Sequence, residues 1–171
     1  MLRTSTFLPR ARSSQKMTAL AFLLAGLSCS SAALAEGPFT NLAGYWGGEG
    51  TIKMNDGTSE RIRCKGSYAV ATGGGAIEQK LRCASDSYKL EISSNVIASG
   101  TAISGSWTEA TRNASGAITG TATPNLIHAR VDGAGFSAGL AISTSGRKQS
   151  VTITPQGSTD IAGVSITLHR S

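Results

Sequence analysis

CKGSYAVATGGGAIEQKLRC, residues 64–83, reads as a single β-hairpin closed on itself. Gly73 and Gly74 stand at its centre, and a Gly-Gly pair suits a two-residue hairpin turn because both positions tolerate positive φ. Folding about that pair sets Cys64 opposite Cys83, within disulfide reach. The same register sets Val70 against Ile77, Tyr68 against Gln79 and Gly66 against Leu81, all on the side of the cysteines. Alternation then sends Arg61, Arg63, Lys65, Lys80 and Arg82 to the other side. On the chain-entropy account, a disulfide closing a loop of this size stabilises the fold by roughly 3 kcal/mol.

A cross-strand disulfide needs an oxidising compartment, and the N-terminus supplies a route to one. Arg3, Arg10, Arg12 and Lys16 form a basic region, residues 17–27 are apolar, and Ala33-Leu34-Ala35 is a small-x-small cleavage site before Glu36. The apolar run is shorter than the roughly 20 residues a membrane-spanning helix needs. A secretory signal peptide over residues 1–35 is therefore expected, with delivery to the periplasm or the exterior. Cys29 leaves with it, and of the three cysteines only Cys64 and Cys83 remain. Lipidation at Cys29 is not expected, because Gly26 stands where that processing takes Leu. The leader carries four basic residues and no acidic one, so the formal charge of +6 falls to +2 on its removal. The basic balance is thus a property of the leader, and no nucleic-acid partner is expected.

Outward from the hairpin, residues 43–171 are a succession of short β-prone runs that alternate apolar and polar side chains between Gly-, Asn-, Asp- and Pro-containing turns. Turns are expected at 55–57, 73–74, 85–86, 99–100, 112–116, 124–125, 133–134, 146–147 and 155–160. Pairing across them sets Ile52 against Ile62, Trp46 against Tyr68, Leu81 against Leu90, Cys83 against Tyr88, Val96 against Ile103 and Ile92 against Trp107. It continues with Trp107 against Ile118, Val131 against Phe136 and Ile142 against Val151. About 8–10 strands joined only by hairpins predict an all-β, antiparallel up-and-down meander closing into a small barrel, one domain over residues 36–171. Gly48, Gly50, Gly66, Gly105 and Gly120 fall on the apolar face. They either let the sheet coil tightly or leave a void for a ligand.

Gly44-Tyr45-Trp46 resembles the Gly-x-Trp signature that opens the first strand of lipocalins, and Gly105-Ser106-Trp107 resembles the Gly-x-Trp strands of avidin-type barrels. The resemblance to this calycin-like class implies a meander barrel and small-molecule binding. It also implies a Trp at the closed end covered by a basic residue of the last strand, for which Arg170 is the candidate. The chain departs from lipocalins in having no recognisable helix before its last strand. The same class includes small periplasmic metalloprotease inhibitors with one disulfide, whose N-terminal segment plugs an enzyme cleft. EGPFTN, residues 36–41, is the corresponding segment here.

Chemistry-bearing patterns are scarce. His128 and His169 have no partners at metal-ligand spacing, so no metal site is expected. No Gly-x-Ser-x-Gly elbow occurs, and Asp56, Asp86, Asp132 and Asp160 fall in expected turns. ATGGG, residues 71–75, lacks the Lys-Ser/Thr of a phosphate loop. Neither a catalytic residue nor a cofactor is expected, and the protein is read as non-enzymatic.

Two sites are legible on the two faces. Trp46, Tyr68, Gln79 and Trp107 on the inner face would wall a site for a small apolar or amphipathic ligand. Arg61, Arg63, Lys65, Lys80 and Arg82, extended by Lys89, would offer an anionic lipid or protein partner a patch, unless Glu60, Glu78, Asp86 and Glu91 neutralise it, with Glu91 beside Lys80. The alternative function is a protein-binding envelope module, such as a periplasmic protease inhibitor or a structural envelope protein. Alternation by itself does not say whether the apolar face points inward or toward lipid. Short strands and an aromatic content of 5% argue against an integral outer-membrane barrel.

Overall fold

The computed structural model describes residues 36–171. The expected leader, its cleavage site and Cys29 lie outside the described residues. A single 3-10 turn, Thr40–Leu42, precedes ten strands: β1 (Gly44–Met54), β2 (Ser59–Val70), β3 (Ala76–Ala84), β4 (Lys89–Ser99), β5 (Ala102–Glu109), β6 (Ala114–Thr123), β7 (Leu126–Gly133), β8 (Phe136–Ser145), β9 (Lys148–Gln156) and β10 (Ile161–Arg170). Each pairs antiparallel with its neighbours in sequence, and β1 pairs with β10, so the meander closes into a barrel with no free edge.

The hairpin of residues 64–83 has the register that its sequence dictates. Cys64 faces Cys83, Tyr68 faces Gln79 and Lys65 faces Arg82. The disulfide joins Cα atoms 4.1 Å apart and lies inside the barrel. Gly73 and Gly74 both have positive φ, 83° and 72°. The loop is wider than two residues, because Ala71 N–H donates to the Ala76 carbonyl and residues 72–75 stand clear of the ladder. The opened loop receives the N-terminal segment: Gly37 N–H donates to the Gly73 carbonyl at 2.7 Å and Phe39 N–H to the Gly74 carbonyl at 3.1 Å.

Several other hairpins are displaced by two residues from the expected register. Ile52 faces Glu60 instead of Ile62, and Trp46 faces Gly66. Leu81 faces Ile92, Cys83 faces Leu90, Val96 faces Gly105, and Trp107 lies between Ser94 and Gly116. Val131 faces Ala138, whereas Ile142 faces Val151 as expected. A shift of two keeps every side chain on its own face, so the hydrophobic pattern tolerates it and the turn decides. At the β7–β8 turn Gly135, not Gly133, supplies the positive φ of 70°. Gly133 has another duty, since a Cβ there would lie 2.9 Å from the Trp107 ring. The 112–116 turn closes earlier, about Asn113 (φ 52°). Asp132 accordingly sits within β7, paired with Arg130 at 2.9 Å, and not in a turn.

The apolar face is the inner one. Ile52, Ile62, Val96, Ile103, Ile118, Ile166 and Leu168 are buried, while every strand Lys and every strand Arg but Arg170 is exposed. Four of the five inner glycines are accounted for by coiling, and the fifth, Gly66, lies against the Leu81 side chain. A Cβ at Gly48, Gly50, Gly105 or Gly120 would strike the backbone of the adjacent strand, at Thr167, Ser165, Asn95 and His128 respectively. These glycines let neighbouring strands cross closely enough for a narrow barrel to close.

Candidate functional site

One end of the barrel is sealed by residues 36–42. Phe39 and Leu42 enter the core, and Trp46 is 1% exposed against them. The indole N–H of Trp46 donates to the Leu42 carbonyl at 2.8 Å, and its ring lies 6.1 Å from that of Tyr68. Arg170, its register partner on β10, covers the outer side of the ring. Trp46 is thus occupied in closing the barrel and offers no surface to a ligand. The EGPFTN segment is likewise folded beneath its own barrel and does not project as an arm.

Above that seal a chain of polar side chains crosses the interior. Ser94 Oγ donates to Gln79 Oε1 at 3.0 Å, Gln79 Nε2 to the Tyr68 hydroxyl at 3.4 Å, Tyr68 to Gln149 Oε1 at 2.9 Å, and Gln149 Nε2 to Thr144 Oγ1 at 3.2 Å. Ser94, Tyr68, Gln149 and Thr144 are buried, whereas Gln79 is half-buried. Burial pushes the Tyr68 phenol up to about 12, so it stays protonated as a donor. Gln149, Ser94 and Thr144 were not among the candidate residues from sequence. The available signal was a polar side chain at an inward position of an otherwise apolar alternation.

The opposite end is rimmed by hairpin turns and carries no sealing segment among the described residues. Toward it, inward side chains along β3–β9 remain half-buried, among them Leu81, Ile92, Trp107, Leu140 and Ile153. Trp107 stands edge-to-face with Phe136, 6.3 Å between ring centroids, and its indole N–H reaches the Asp132 carbonyl at 3.2 Å. Phe136 is 39% exposed at the rim. The structure therefore brings Tyr68, Gln79 and Trp107 to one interior, through Ser94, which faces Gln79 on one side and Trp107 on the other. It assigns Trp46 to the seal.

Glu109, also unforeseen, is a buried carboxylate at this rim. It accepts hydrogen bonds from the N–H groups of Glu91, Thr111 and Arg112 and from the Thr111 hydroxyl. Burial raises its pKa, but these bonds together outweigh burial and hold it down at about 2.

The basic patch lies on the outer wall as expected, with Arg63, Lys80 and Arg82 paired locally. Arg82 meets Glu91 at 3.2 Å, in place of the expected Lys80. Lys80 meets Glu78 at 3.2 Å and Arg63 meets Glu49 at 3.7 Å. Glu49, Arg63, Arg82 and Glu91, with Lys65 and Lys89, edge an open depression of about 650 Å³ over the disulfide. Exposed pairs of this kind contribute little. Arg61 shows no ion pair among the described residues. No group of three His, Cys, Asp or Glu among the described residues is placed to hold a metal. No described helix is long and apolar enough to cross a membrane.

No protein-family model matches the chain, and no curated protein matches it. The chain is similar in structure to Rv2717c from M. tuberculosis, known from a crystal structure. The two are 12% identical with a TM-score of 0.62, over 77% of this chain and 94% of that one. At that identity the likeness is one of fold.

Proposed function

We propose that the protein is an exported, non-enzymatic carrier that binds a small apolar or amphipathic ligand within a calycin-like barrel. One observation carries this reading: a closed barrel with one sealed end keeps apolar and aromatic inward side chains, Trp107 foremost, half-buried toward its unsealed end. A core serving stability alone gains by burying such surface fully, at about 25 cal/mol per Å². The internal disulfide and the signal-like leader support export to the periplasm or beyond. The inhibitor reading loses its main support, because residues 36–42 are committed to the seal.

The test is native mass spectrometry of the protein purified from its own cell envelope, before and after organic extraction. A reproducible adduct removed by extraction supports the carrier. A clean apo mass, together with no uptake of an apolar fluorophore by the extracted protein, overturns it.

A further inference from the structure

We infer that the interior selects an uncharged ligand bearing a hydrogen-bond acceptor oxygen, and that Gln79 is the side chain that recognises it. The inference rests on the carrier reading and narrows it to a ligand class.

The charge inventory of the wall comes first. Among the described residues every Lys and His is exposed, as is every Arg but Arg170, which lies against Trp46 at the sealed end. No cation faces the interior. Two carboxylates hold inward positions: Glu60, which faces Ile52 at the rim and accepts the Ser87 N–H, and Glu109. Glu109 has its oxygens taken by three backbone N–H groups and the Thr111 hydroxyl, with the Arg112 guanidinium at 3.8 Å. A carboxylate or phosphate entering this space would shed its water and meet no counter-charge. An alkylammonium would meet carboxylates already engaged, Glu109 through both oxygens and Glu60 through Oε1 at the rim. A neutral head pays neither cost.

The polar chain has a direction, running from Ser94 through Gln79, Tyr68 and Gln149 to Thr144. A carboxamide has two N–H donors, and Gln79 spends one on Tyr68. Its Oε1 is taken by Ser94. What remains is one N–H, on the only member of the chain that is not fully buried. That group is a donor, so it reads an acceptor: a hydroxyl, ether or carbonyl oxygen. Leu81, Ile92 and Trp107, on the neighbouring inward positions of β3, β4 and β5, supply apolar walls for the body of such a molecule.

The test uses the exported full chain, after extraction, with N-phenyl-1-naphthylamine as a neutral fluorescent probe. Decanol, decanoate and decyltrimethylammonium serve as competitors below their micellar concentrations. Decanol is expected to displace the probe at least tenfold more effectively than either ion. Gln79→Leu should weaken decanol about tenfold relative to the probe. Failure of both probe and decanol to bind overturns the carrier reading itself. Equal displacement by decanoate leaves the carrier standing and overturns the selection for a neutral ligand. An undiminished decanol affinity in a folded Gln79→Leu removes Gln79 from the role. Should that variant not fold, the wild-type ranking of the three competitors still decides the ligand class.

Discussion

The Arg170 guanidinium carbon lies 4.8 Å from the centroid of the Trp46 indole, and the two residues are register partners across the β1–β10 seam. The ladder that closes the barrel therefore also stacks its last basic residue on its first large ring. Arg170 donates to the Asn41 carbonyl as well, so one side chain ties the N-terminal segment, the first strand and the last. Its Nε is buried without a hydrogen-bond partner.

Replacing Arg170 with Ala removes the cation–π contact and the hydrogen bond to Asn41 and uncovers the indole. The expected loss of stability is about 1–3 kcal/mol. Urea unfolding followed by tryptophan emission, in a Trp107→Phe background so that Trp46 alone reports, measures it. An unchanged midpoint would contradict the closing role of the pair.

Gly74 and Gly73 separate conformation from contact. Both have positive φ, but a Cβ at Gly73 meets nothing within 4 Å, whereas one at Gly74 strikes Thr40 Oγ1 and comes within 2.9 Å of the Gly37 carbonyl oxygen. Gly73→Ala should cost about 1 kcal/mol, the strain of a left-handed alanine alone. Gly74→Ala should cost about 1–3 kcal/mol more and shift Trp46 emission to the red as residues 36–42 lift away. Thermal melts and emission spectra of the two variants make the comparison.

Reduction of Cys64–Cys83, or its replacement by paired serines, should lower stability by about 3 kcal/mol through the unfolded state. Because the ten-strand ladder closes independently of the bridge, the reduced protein should keep its far-ultraviolet circular dichroism at room temperature. Denaturant midpoints with and without reductant give the difference.

Glu109 predicts an acid limb. Its folded pKa, held at about 2, lies below the ordinary value of 4.5, so the unfolded state binds the proton more readily. The stability it contributes is complete above 4.5 and is lost as pH falls toward 2. After solvent screening it is on the order of 2 kcal/mol. Glu109→Gln should flatten that limb of a stability-against-pH curve, and a slope equal to wild type would refute the assignment.

Two kinds of information in the chain behaved differently. The 64–83 hairpin was legible because its turn glycines and its cysteines specify the same register, each an independent local signal. The hairpins that moved by two residues had only the face pattern to guide them, and that pattern repeats every two residues. Gly133 and Gly135 show the limit: both suit a turn, and the choice depends on the Trp107 ring, which approaches from β5. The inner glycines were open to two explanations because the backbone that crowds them belongs to a neighbouring strand. Of the candidate ligand residues, Trp46 was misassigned because the N-terminal segment that covers it packs through contacts that leave no periodic trace.

Sequence alone determined the alternation, the hairpin order, the disulfide pairing and the count of strands to within two, since each depends on neighbours along the chain or across one turn. Tertiary structure alone decided that the apolar face turns inward, which end is sealed, and that Gln79 joins a polar chain running to Thr144. Alternation is unchanged when inside and outside are exchanged. Only closure of β1 on β10 gives the sheet a concave side, and with it an interior for those side chains to share.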